Sequence, residues 1–167
     1  LIVYQNDAFP LNQLNIYDGL QGVPNNLQID LTNLYVLDNS DATAGFIAWE
    51  GDSQLATETF TVNGIVLRNT LNPANNVFNS TNSVTGSNTL FNMDLDIYDI
   101  ENYIEVGDTQ ATIKLSSSQD FIMINTVVTK LNSQLPDATI ILEDYETSCN
   151  SGTIELNYTI YNINSTE

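Results

Sequence analysis

Apolar and polar residues alternate one for one through most of the chain, and a period of two admits strands and little else. In "TETFTVNGIVLRN", Thr59 and Thr61 alternate with Phe60 and Val62, and Asn63-Gly64 supplies a two-residue hairpin turn. Similar segments recur at short intervals. "LNQLNIYDGL" runs to a turn at "QGVPNN"; "LQIDLTNLYVL" follows, then a loop at "DNSDATAG" and a buried strand in "GFIAWEGDS". Later come "TLFNMDLDIYDI", "QATIKLSSS" and "DFIMINTVVTKLN", while "LNPANNVFNSTNSVTGSN" reads as a long polar loop. Helical spacing is confined to one turn's worth in "IYDIENYI". Eight to ten strands, on the order of the count these signals give, predict an all-β chain: an antiparallel β-sandwich, jelly-roll-like or immunoglobulin-like.

Pro136 interrupts this pattern, and "TIILEDYE" and "TIELNYTIYNIN" then alternate afresh. Two strands cannot bury a core of their own. Residues 1–133 are therefore predicted to form one sandwich. Residues 134–167 read as a linker and the opening strands of a second, truncated β module. With no initiator Met and an apolar "LIVY" at its start, the sequence reads as a processed or excised piece.

Composition narrows function. The net charge is -18, which repels phosphate backbones and argues against nucleic-acid binding, while attracting divalent cations. No apolar run approaches the ~20 residues of a membrane span, so membrane insertion is not expected. Histidine is absent, which removes the serine and cysteine triads and imidazole metal sites. Cys149 is the single cysteine, so no internal disulfide forms. Solvation by Asn, Ser and Thr rather than by charge is associated with extracellular bacterial β-proteins.

The acids are the candidate site. In "NMDLDIYDIENYIEVGD", an EF-hand starting at Asp94 would place Tyr98 at its fifth position and Asp99 where glycine is needed, so that motif fails. Asp94 and Asp96 project from one strand face and Asp99 follows at a bend. They suit either a calcium site or the solvated face of an ordinary strand. In "WEGDS", Gly51 lets Glu50 and Asp52 aim at one point, for calcium or for carbohydrate. The alternative is a tight turn with Trp49 in the core. Paired carboxylates would allow glycosidase chemistry, yet nothing in the sequence singles out a pair, and no enzyme is expected.

"VYQNDAFPLNQLNIYDGLQG", "FIAWEGDS", "FTVNGIVLRNTLNPANNVFNST" and "DLDIYDIENYIEVGDTQATIKL" follow in that order. Together they resemble a β-domain of unknown function in large surface proteins of Bacteroidota. Those chains carry gliding-motility-associated C-terminal sorting domains and leave the cell by the type IX secretion system. "PDATIILEDYETSCNSGTIELNYTIYNINST" resembles the start of the immunoglobulin-like module that follows. The resemblance implies an extracellular, cell-surface, adhesin-like protein with no carried-over catalytic residues. Its partners would be neighbouring β modules of the same chain, surface glycans or other cell-surface proteins. The alternative is a carbohydrate-binding module of a secreted multidomain protein. An exposed aromatic platform favours that alternative; a buried Trp49 with no groove favours a structural spacer.

Overall fold

The computed structural model describes residues 12–23, 26–133, 138–147 and 154–162, with scattered positions among residues 2–10 and residue 152. The centre of the turn at Pro24, the break at Pro136 and the lone Cys149 lie outside the described residues. The chain divides into two units, Leu1–Ser133 and Gln134–Glu167.

Among the described residues of the first unit, eight strands form two antiparallel sheets. Sheet A has the order β1-β8-β3-β6, from Gln13–Val23, Ile122–Ser133, Val36–Trp49 and Met93–Asp99. Sheet B has the order β2-β7-β4-β5, from Asn26–Leu31, Ala111–Ser117, Glu58–Val62 and Ile65–Val66. The pairing nests: β1 with β8, β2 with β7, β3 with β6, β4 with β5. Nested pairs folded over two facing sheets are the jelly-roll connectivity, so of the two sandwiches expected it is this one. The Asn63-Gly64 turn joins β4 to β5 with φ of 51° and 80°, as a type I′ hairpin requires. The expected helical turn is a 3-10 turn at Glu101–Tyr103. "DNSDATAG" is not a loop. It is the first half of β3, which stays paired to β8 by bulging on either side of Asp38.

The core lies between the sheets. Phe46 of sheet A meets Phe60 of sheet B edge-on at 5.3 Å. Phe78, from the long loop between β5 and β6, packs on Phe46 at 5.2 Å, and Tyr98 of β6 on Phe60 at 5.2 Å. Burying each such ring contributes about 1.5–3 kcal/mol. The loop called polar thus also supplies core through Val77 and Phe78, both buried.

The outward faces differ in kind. Directly paired residues share a face. On sheet B the outward rows are Asn26–Ser116–Thr59 and Gln28–Lys114–Thr61–Val66, then Asp30–Thr112. On sheet A they are Ile16–Val128–Gly45–Ile97, then Asp18–Thr126–Ile47–Leu95, then Gly22–Met123–Trp49–Met93. A fourth row, Leu14–Lys130–Thr43–Asp99, closes one end.

The second unit is an antiparallel hairpin of β9 (Ala138–Thr147) and β10 (Ile154–Asn162), with one bulge at Asn157/Tyr158. Its described apolar side chains, among them Ile140, Leu142, Leu156 and Ile160, are exposed. Two strands have no second layer on which to bury them.

Candidate functional site

Strand β6 sets the site. Its residues alternate Asp94, Asp96, Tyr98 against Met93, Leu95, Ile97, and simple patterning would put the aliphatic set inside. The reverse occurs. Asp94 and Asp96 are 0% exposed and Tyr98 is 2% exposed, while Ile97 is 49% exposed. The solvated-face reading therefore fails for Asp94 and Asp96. With a period of two, turning these three inward turns the aliphatic residues outward.

What holds the acids inside is the long loop. Asp94 Oδ1 accepts from the backbone N–H groups of Asn79 and Thr81, each at 2.9 Å. Asp96 Oδ1 accepts from the Ser83 N–H at 2.9 Å. Alongside, the Leu95 N–H donates to the Thr81 carbonyl at 3.0 Å and the Ser83 N–H to the Leu95 carbonyl at 3.2 Å. Residues 81–83 thus cover the open edge of β6, where unpaired backbone groups would otherwise face water. Asp94 spends a carboxylate oxygen on two loop N–H groups that have no strand partner, and Asp96 shares the Ser83 N–H with the Leu95 carbonyl.

A third acid was not foreseen. Glu58 opens β4, shares the inward face with Phe60 and Val62, and is fully buried. Its Oε1 accepts from Ser117 Oγ at 3.3 Å. Its parity with Phe60 and Val62 was the available signal. Likewise the parity of Asp94 and Asp96 with Tyr98 was the signal for β6.

Burial pushes the Glu58 and Asp94 carboxyls up to about 7. The Ser117 hydrogen bond partly opposes the rise at Glu58, and the Thr81 N–H does so at Asp94. Burial raises Asp96 and the Tyr98 hydroxyl as well. Glu58 Oε2, Asp94 Oδ2, Asn72 Nδ2 and the Tyr98 hydroxyl are buried without hydrogen-bond partners. Thr81 Oγ1 has Asn72 Oδ1, Asn79 Oδ1 and Asp96 Oδ2 within 2.7–3.1 Å, with a single proton to share among them.

The five acids singled out from sequence do not converge. Asp94 and Asp96 are neighbours inside the sandwich. Asp99 lies on the opposite face of β6, exposed, and accepts from the Glu101 N–H at 2.8 Å. Glu50 is exposed with φ of 70°, and exposed Asp52 caps the Gln54 N–H at 2.9 Å. The backbone between them does reach Asp94: a Cβ on Gly51 would lie 2.1 Å from Asp94 Oδ2. Among the described residues no three Asp, Glu, His or Cys side chains group to hold a metal ion. The oxygens around Asp94, Asp96, Thr81 and Asn79 are hard donors of the kind calcium takes.

The outward consequence of β6 is a groove on sheet A of about 510 Å³, open to solvent, with walls that include Ile16, Ile47, Leu95, Ile97 and Val128. Its floor is Gly45, which the Asp96 carbonyl approaches so closely that a Cβ would stand 2.6 Å from it. Asp18 sits on the rim, its carboxylate accepting from Thr126 Oγ1 at 3.2 Å. Trp49 occupies the next row and is 39% exposed, not part of the core as a tight-turn reading had it. The Phe121 ring lies over Gly22 of that row, 2.7 Å from where a Cβ would be.

No family model, curated protein or solved structure matches the chain. The Bacteroidota resemblance therefore rests on its own quoted segments.

Proposed function

We propose that the chain is a non-catalytic module of an extracellular, adhesin-like surface protein, holding a partner on the outward face of sheet A. One observation carries this reading: that face presents a largely apolar groove at its centre, where an antiparallel sandwich ordinarily presents polar side chains. The deeply placed acids support the non-catalytic half, because Glu58, Asp94 and Asp96 have no surface that a substrate can reach. Calcium is the ion we propose for the acids, with Asp94 Oδ2 as the donor that lacks a hydrogen bond and the backbone about Gly51 beside it. The resemblance supplies the cell-surface setting.

Trp49 is the single tryptophan and stands on this face, so its fluorescence reports locally. Titrating the full chain with Nile red, a neutral apolar dye, should quench Trp49 saturably. Ile47→Asp should abolish the quenching and Thr61→Asp, on the outward face of sheet B, should not. Absence of saturable quenching, or equal loss in both variants, contradicts the reading. A glycan-binding role is favoured by one feature, the half-exposed Trp49 with the Phe121 ring over Gly22 of its row. A bound oligosaccharide would shift Trp49 emission and protect it from quenching by iodide.

A further inference from the structure

We infer that the partner held on sheet A is a cationic amphipathic polypeptide segment, its apolar side chains in the groove over Gly45 and its Lys or Arg side chains at the acidic rim. The inference rests on the binding-face reading above and adds the chemistry of the occupant.

Three properties of the face select that chemistry. The groove walls are aliphatic, and a volume of about 510 Å³ falls within the ~300–1,000 Å³ that hold compact apolar groups. Branched aliphatic walls interdigitate with side chains such as Leu and Ile, whereas sugars are chiefly held by flat aromatic faces and paired polar groups. Next, charge complementarity excludes most other apolar partners. The molecule carries a net charge of -18, so a fatty acid or an anionic lipid surface meets long-range repulsion, and so does a second copy of the chain. A basic partner is drawn in by the same field. Finally, the rim is placed to receive cations. Asp18 stands at one side of the groove and Asp99 at the far corner, both exposed. Among the described residues Lys130, between Leu14 and Thr43, is the one cation on the face, and it stands two rows from Asp18.

The geometry suits a segment laid across the strands. Four strands at roughly 4.8 Å spacing give a platform about 15 Å wide, and the rows that carry Ile16, Ile47 and Trp49 run across it. A partner with basic residues on one side and aliphatic residues on the other would cover Ile47, Leu95 and Ile97 while pairing with Asp18.

The test uses short peptides against the full chain, read by Trp49 emission: one of Leu and Lys, one of Leu and Glu, one of Ser and Lys. The Leu–Lys peptide should shift the emission saturably. The Leu–Glu peptide should not, and the Ser–Lys peptide should bind about tenfold more weakly or worse. Ile47→Asp gives the decisive sign. It adds negative charge, so attraction by charge alone would strengthen, while docking in the groove weakens by about tenfold or more. Leu95→Asp should act in the same direction, which guards against misfolding of one variant. Asp18→Asn should weaken Leu–Lys binding and reduce its salt sensitivity.

Equal binding of the Leu–Lys and Ser–Lys peptides, or undiminished binding to both groove variants, overturns the proposal. A concentration-dependent Trp49 shift without peptide would make a second copy the occupant, and that also overturns it. If Nile red or an oligosaccharide moves Trp49 but the Leu–Lys peptide does not, the polypeptide partner is wrong while the binding face stands. If none of them moves Trp49, both readings fall.

Discussion

The two sheets of the jelly roll present opposite surfaces to water. Outward on sheet B, Thr59 and Ser116 share a hydrogen bond at 2.6 Å and Thr112 donates to Asp30 at 3.0 Å. This is a face finished for solvent. Outward on sheet A, Ile16, Val128 and Ile97 surround Gly45, with Ile47 and Leu95 in the next row and Trp49 beyond. The difference starts at β6. Sheet B keeps the ordinary alternation in β2, β4 and β7 apart from the buried pair Glu58 and Ser117, while its short edge strand β5 leaves Ile65 and Val66 exposed. In β6 the loop takes Asp94 and Asp96 inward, and the strand's aliphatic set is left facing out. On β6, the outward aliphatic set and the buried acids are therefore one event seen from two sides. Water-facing chemistry can be lost from a sheet because something on its inner face needed an acceptor.

The largest expected effect concerns the acids inside. Carboxyls held near 7 in the folded chain lie above their ordinary values of 4.5 for Glu58 and 3.8 for Asp94. Between those values and 7 the folded chain binds more protons than the unfolded one. Stability is then fully present below about pH 4 and is lost as pH rises through about 7, by about 3 kcal/mol for Glu58 and about 4 kcal/mol for Asp94. Asp96 shifts in the same direction. Melting should accordingly fall from about pH 5 to pH 8, and Asp94→Asn should flatten part of the slope. Calcium bound at Asp94 would hold the carboxylate ionised and flatten the slope as well, more than equal magnesium and more than sodium at matched ionic strength. If the three salts act alike, only screening is present.

Next in size is the centre of the apolar face. A methyl at Gly45 would collide with the Asp96 carbonyl at 2.6 Å and with Ile97 Cγ1 at 3.0 Å. Gly45→Ala should cost about 1–3 kcal/mol by prising β6 from β3, and it should fill the groove floor. Denaturant titration together with Nile red binding checks both consequences. The equivalent test on the other sheet is Gly64→Val in the β4–β5 turn. There φ of 80° strains a branched side chain, for about 1–2 kcal/mol, and dye binding on sheet A should be unchanged. A melting temperature unaltered by Gly64→Val would contradict the turn; altered dye binding would contradict the independence of the two faces.

How far the sequence could be read follows the range of the interactions involved. Thr59 to Gly64 was legible because alternation and turn chemistry are local. So was the helical turn near Glu101, and so was the all-β class. The jelly-roll order was not, since pairing β1 with β8 or β2 with β7 joins segments about a hundred residues apart and leaves no local mark. The bulged half of β3 looked like a loop because "DNSDATAG" has the composition of one, and only its pairing with β8 makes it strand. At the candidate site, Asp94 and Asp96 stand on one face as expected, but that face is the buried one. Aliphatic neighbours at Leu95 and Ile97 made the usual parity the natural one, and the loop N–H groups that reverse it come from residues 79–83, on the far side of a tight turn. Of the two placements open for Trp49, the core fails because its parity follows Ile47 rather than Ala48.

The inverted parity of β6 is the central claim, and the thermal stability of two single variants, Asp94→Ala and Leu95→Asp, tests it most directly. With the acids inside, Asp94→Ala strands the Asn79 and Thr81 N–H groups and should cost about 2–3 kcal/mol at pH 5. Leu95→Asp, on the outward face, should cost about 1 kcal/mol or less. With ordinary parity the ranking reverses: Leu95→Asp would bury an unpaired charge and unfold the chain, while Asp94→Ala would be nearly silent. That reversal would contradict both the anchoring of the loop and the origin of the apolar face.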